Sequence, residues 1–194
     1  MESTSESEPA APPGWRQPPP LALATILPMN RELARTALGA VALLEVRAFR
    51  TGCLLDVLVA VRQPDDRSSR LRIWQALAGV GDTEPPPVEL IRFGVRFPDG
   101  SAASTVRRLP ADERGGASRP AGPVLSVRSG RAAEVPGGRW VQIAVSLWLW
   151  PLPPPTEFTL TLEYPLITLP ETAVALDGAA IGAAAERSSM LVDY

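Results

Sequence analysis

Three tryptophans raise the first question of chemistry. Trp140, Trp148 and Trp150 are separated by even numbers of residues, so in an extended chain they share one side with Gln142, Ala144 and Ser146. The opposite side, Val141, Ile143, Val145, Leu147 and Leu149, is wholly aliphatic and belongs in a core. An aromatic face of this kind can stack a sugar ring or dock a protein, because an indole offers a wide rigid surface and one hydrogen-bond donor. The alternative is that another part of the chain covers the rings. Arg107, Arg108, Arg114 and Arg119 form a second candidate surface. From Arg107 to Arg139 seven arginines stand against three acids, a local net charge of +4, whereas from Trp140 onward six acids stand against Arg187 alone, a net −5. Such asymmetry can steer a partner, or let a basic loop lie over an acidic rim of its own fold.

The remaining repertoire is defined by what is missing. The 194 residues contain no histidine, and all 19 basic residues are arginine. Histidine-ligated zinc, Ser-His-Asp chemistry, Schiff-base catalysis and a Walker-type phosphate loop each need a side chain that this chain lacks. The single cysteine, Cys53, sits in an apolar run and is expected to be a buried, inert thiol. Carboxylates are the acid–base candidates left, Asp65-Asp66 beside Arg67 and Arg70, and Asp112-Glu113 within the arginine-rich stretch. Glycoside hydrolysis needs two such groups about 5–10 Å apart across a cleft, and adjacent residues at turns do not by themselves provide that. Gly115-Gly116 and Gly137-Gly138 lack the spacing of a phosphate fingerprint, and no acidic run has EF-hand spacing. The sequence therefore assigns no catalytic residue, no metal ligand and no cofactor.

The elements that must position these residues follow a period of two. Ala42, Leu44, Val46 and Ala48 are expected on one face, with Glu45 and Arg47 on the other. Arg50-Thr51-Gly52 then turns the chain into a strand with Cys53, Leu55, Val57, Val59 and Val61 inward, which makes a β-hairpin. Ile91, Phe93, Val95 and Phe97 alternate with Arg92, Gly94 and Arg96 before a Pro98-Asp99-Gly100 turn. Phe158, Leu160, Leu162 and Tyr164 alternate with Thr159, Thr161 and Glu163. Weaker strands are expected at 21–27, 71–77, 124–127 and 172–176. The segment 101–123 reads as a mobile rim loop, and Trp148 to Pro155 as a strand ending in a rigid proline connection.

One-sided apolar strands must bury against a second sheet, so the predicted fold is an antiparallel β-sandwich of immunoglobulin-like or jelly-roll type. A short C-terminal helix is expected over about 177–187, capped by Asp177, with fraying after Ser188. Residues 1–20 are acidic, then proline-rich, and read as a disordered lead in which Trp15 is the one residue suited to docking; residues 21–194 make a single domain. A net charge of −2 provides no basic field for nucleic acid or an anionic membrane, and the longest apolar runs are too short to span a bilayer. With a polar, acidic N-terminus unlike a secretory signal, cytoplasmic location is the expectation.

The stretches Phe93-Gly94-Val95-Arg96-Phe97-Pro98-Asp99-Gly100, Gly122-Pro123-Val124-Leu125, Trp148 to Pro155, and Glu163-Tyr164-Pro165 through Leu169-Pro170-Glu171-Thr172 together resemble a set of uncharacterised actinobacterial proteins of similar length. That set carries no assigned activity, so the resemblance implies no catalytic or binding residue. Three functional readings follow. The first is a non-enzymatic module that binds a protein partner through Trp140, Trp148, Trp150 and the arginines at 107, 108, 114 and 119. The second is a carbohydrate or other small-ligand module using the tryptophan face, and the third a carboxylate-dependent hydrolase.

Overall fold

A computed structural model describes residues 13–63, 91–106 and 119–192. In chain order the strands are β1 (Ala22–Leu23), β2 (Thr25–Thr36), β3 (Gly39–Phe49), β4 (Gly52–Arg62), β5 (Arg92–Arg96), β6 (Ala102–Ser104), β7 (Val124–Glu134), β8 (Trp140–Trp150), β9 (Glu157–Tyr164), β10 (Leu169–Asp177) and β11 (Ser189–Met190). A 3₁₀ turn, Pro165–Ile167, joins β9 to β10, and helix α1 (Gly178–Glu186) precedes β11. Two antiparallel sheets, β2-β3-β4-β8-β7 and β10-β9-β5-β6, face each other, and β1 pairs with β11 as a separate ribbon. The chain crosses from the five-stranded sheet to the four-stranded one, returns for β7 and β8, and crosses again through Pro151–Pro155.

The core lies where the two inward faces meet. Val57, Val59, Leu147 and Leu149 of one sheet join Phe93, Val95, Leu160 and Leu162 of the other in one buried cluster. This is the antiparallel sandwich that the alternating strands predict, with the inward sets of β4, β5, β8 and β9 as expected. At one flank Arg31 of β2 donates to the Ala175 carbonyl of β10 at 2.9 Å, and Thr36 donates to Ile167 at 2.9 Å. Helix α1 buries Ile181, Ala184 and Ala185 against the same core. Its start is fixed by Asp177, whose carboxylate accepts from the amides of Ala179 and Ala180 at 2.9 and 3.0 Å.

Several expectations need correction. In β3 the inward set is Val41, Leu43, Val46 and Ala48, because the register shifts between Leu43 and Glu45. Leu44 is the extra residue of a bulge and points outward, so the face changes phase there. Strand β2 extends to Thr36, through Pro28 and the left-handed Asn30 (φ 45°), nine residues past the predicted end at 27. Pro28 is tolerated because β2 is a sheet edge, where a missing amide breaks no ladder on the open side. Strand β7 likewise runs past 127 to Glu134. Part of the predicted rim loop forms β6, and the chain after Ser188 pairs with β1 instead of ending in frayed helix. The lead enters the fold earlier than residue 21, since Trp15 is buried. The strand predicted at 71–77 lies outside the described residues.

Candidate functional site

The outward face of β8 carries the tryptophans, and its neighbours decide their environment. Leu54 of β4 and Ser126 of β7 flank Trp148 in register. Phe49, at the end of β3, meets the Trp148 ring edge-on, with centroids 5.8 Å apart and planes at 72°. Gly52 lies against the other side: a Cβ there would stand 2.7 Å from the Trp148 ring and 2.5 Å from the Leu149 carbonyl, so only glycine leaves the ring its place. The N-terminal segment then closes the cluster. Trp15 packs with Phe49, Leu54, Val124, Trp148 and Trp150, and the Trp148 indole N–H donates to the Gly14 carbonyl at 3.1 Å.

The three tryptophans consequently do not form an open platform. Trp148 is fully buried and Trp150 is 9% exposed, because Trp15 covers the face that alternation places outward. Trp140 is half-buried at the far end of β8, opposite Arg62. Eight residues of strand separate it from Trp148, roughly 27 Å, too far for one small ligand to touch both.

Trp150 and Arg119 are brought together, although 31 positions separate them. The Arg119 guanidinium lies 5.0 Å from the Trp150 ring centroid, a cation–π contact. Both line a cleft of about 650 Å³ at the end of the sandwich. One wall is the Pro151–Pro154 connection, another is Pro120–Pro123 leading into β7, and the floor includes Phe97 and the β5–β6 turn. That turn is held by Asp99, whose carboxylate accepts from the Ser101 amide at 2.8 Å and its hydroxyl at 2.7 Å. The Ser101 hydroxyl and amide hold the Asp99 carboxyl below its ordinary range, so it stays ionised. Among the described residues the cleft therefore presents the Arg119 cation, the Asp99 anion, the Trp150 and Phe97 rings and rigid proline walls.

A polar cluster on the same sheet carries no signal that sequence spacing alone reveals. Arg47 of β3 grips Asp56 of β4 in a two-pronged bridge, with Nε to Oδ2 at 2.6 Å and Nη2 to Oδ1 at 3.0 Å, and Ser146 of β8 donates to the same carboxylate. The Asp56 carboxylate raises the Arg47 guanidinium further above its ordinary value. Ser146 has no imidazole or amine beside it to take its proton, and the group ties three strands together across their outer face. On the other sheet Arg92 pairs with Glu163 at 2.9 Å and Arg96 with Glu171 at 2.6 Å. Among the described residues no three His, Cys, Asp or Glu side chains converge as metal ligands would. Cys53 is buried, and burial pushes its thiol up to about 12. No described helix is long and apolar enough to cross a membrane.

Arg107, Arg108 and Arg114 lie outside the described residues, as do Asp65, Asp66, Asp112 and Glu113. Of the predicted surface, then, the fold joins Trp150 to Arg119, buries Trp148 beneath Trp15 and sets Trp140 apart. No family model, curated protein or solved structure matches the chain.

Proposed function

We propose that this chain is a non-catalytic interaction module that takes an extended acidic peptide in the cleft beside Trp150 and Arg119. The observation that carries the reading is the stacking of Arg119 on Trp150 at the wall of a 650 Å³ proline-lined cleft. An arginine braced against an aromatic ring is already ordered, so it loses less freedom on meeting a carboxylate. Proline walls add apolar contact without side-chain entropy to lose. Asp99, which also lines the cleft, disfavours a uniformly acidic ligand and selects a peptide whose acid sits at one end and meets Arg119.

Fluorescence anisotropy of a labelled proline-rich peptide carrying glutamate at one end only tests the reading. Saturable binding by the full chain is expected, weakened at least tenfold by Arg119→Ala. Absence of saturable binding, or binding indifferent to Arg119→Ala, overturns it. Saturable binding of soluble glycans in place of the peptide also overturns it, in favour of a sugar site.

A further inference from the structure

We propose that the N-terminal arm, residues 13–20, exchanges between two copies of this chain, so that Trp15 of each copy fills the aromatic pocket of the other. The pocket is complete without the arm. Phe49, Leu54, Val124, Trp148 and Trp150 come from β3, β4, β7 and β8, and Trp15 is the one arm residue in the cluster. Among the described residues, what holds the arm is its ring, the bond from Trp148 to the Gly14 carbonyl, a 3.4 Å contact from Arg128 to Gln17 and, at the hinge, a 3.4 Å bond from the Ala22 amide to the Pro19 carbonyl. The first three can be made equally well by an arm from a second molecule; the hinge bond belongs to the closed turn alone.

Two independent features favour the second copy. The first is the hinge. Pro18-Pro19-Pro20 stiffen the arm, and the chain turns back onto its own pocket at Leu21, which adopts φ 56°. A leucine in the left-handed region is strained, and an arm swung outward lets Leu21 return to ordinary extended geometry. The second is what surrounds the hinge. Leu21, Leu23, Met190, Leu191 and Val192, all on or beside the β1–β11 ribbon, are 44–60% exposed. Two copies exchanging arms about a twofold axis meet at their hinges, which brings these aliphatic side chains together. The exchange thus gives up one long turn bond at the hinge, relieves the Leu21 strain and covers an apolar patch, while every pocket contact is kept. It shares Trp150 with the cleft beside Arg119 but does not depend on a ligand there.

Sedimentation velocity over a wide concentration range tests the exchange in the full chain. Reversible dimerisation is expected, abolished by Trp15→Ala. Leu21→Gly relaxes the closed hinge and should weaken the dimer roughly tenfold, a variant that leaves the pocket intact. A mixing experiment decides the geometry. One preparation carries Gln17→Cys and the other Arg128→Cys, and they are joined by a short thiol-reactive linker, with buried Cys53 shielded. A covalent heterodimer is expected. A monomer at every concentration, a dimer that survives Trp15→Ala, or no covalent heterodimer overturns the proposal.

Discussion

The outward face of β8 begins and ends with tryptophan, and the two ends meet different environments. Trp148 faces Leu54 across the sheet, with Phe49 beside it and Trp15 above; Trp140 faces Arg62 and stays half-buried. Between them Ser146 joins the Arg47–Asp56 bridge. The same strand, with the same period, thus carries a sealed aromatic cluster at one end, a hydroxyl bonded to a neighbouring ion pair nearer the middle and a partly wet indole at the other. Alternation determines which residues share a face. What lies over that face depends on cross-strand neighbours and on a segment more than 120 residues away in sequence.

The largest test of this difference removes the sealed ring. Trp148→Ala leaves a cavity among Phe49, Leu54 and Trp15 and should cost about 3–5 kcal/mol in a urea titration. A loss below about 1 kcal/mol would mean that the aromatic end is as dispensable as an exposed one. Two buried acids of the core, Cys53 on the neighbouring strand β4 and Tyr164 on β9 of the facing sheet, supply a second, pH-dependent test. Burial raises the Cys53 thiol from 9.0 to about 12 and the Tyr164 phenol from 10.0 to about 12. The unfolded chain therefore loses these protons first. The stability they contribute is whole below pH 9 and drains away between pH 9 and 12. By pH 11 Cys53 alone should account for roughly 3 kcal/mol, and Cys53→Ala should flatten that part of the profile. A urea midpoint that does not fall over this range would place the thiol in contact with water.

The inward faces of β4, β5, β8 and β9 were legible because each strand alternates cleanly over its length. Leu44 was not, since one extra residue in an apolar run reverses the phase without changing composition. The second half of β2 was hidden by Pro28, Met29 and Asn30, which read as a break and become an edge strand with an irregular register. The capping of α1 by Asp177 could be read directly, because the contacts are two and three residues away. At the site, spacing identified the tryptophan face, the proline-rich lead offered Trp15 as its one residue suited to docking, and an arginine-rich stretch included Arg119. The pairing of Arg119 with Trp150 was not legible, because it depends on how the segment entering β7 and the proline connection after β8 meet at one end of the sandwich. The Arg47–Asp56–Ser146 group required the strand order, which alternation does not encode.

Gly52 allows the comparison to be disturbed without touching an indole. Its backbone needs no left-handed conformation, so the objection to a side chain is steric alone. Gly52→Ala should cost about 1–3 kcal/mol, with a shift in tryptophan emission as the Trp148 ring is displaced. Unchanged emission and stability together would show that the β3–β4 turn can move away from the ring, and that the aromatic end is less tightly packed than its burial suggests.

The smallest expected effect is at the other end of the strand. Trp140→Ala removes a ring of the same size as Trp148, but one with water on part of its surface and an arginine for its cross-strand neighbour. The backbone ladder to Arg62 and Val141's place in the core do not depend on that side chain. The expected loss is therefore about 1 kcal/mol or less in the same urea titration, several-fold below that of Trp148→Ala. If the two substitutions cost the same, the neighbours named for each ring would not be what separates them, and burial of both would have to come from a common cover. If Trp140→Ala is nearly silent, the arm bearing Trp15 is what turns one end of an ordinary amphipathic strand into a second core.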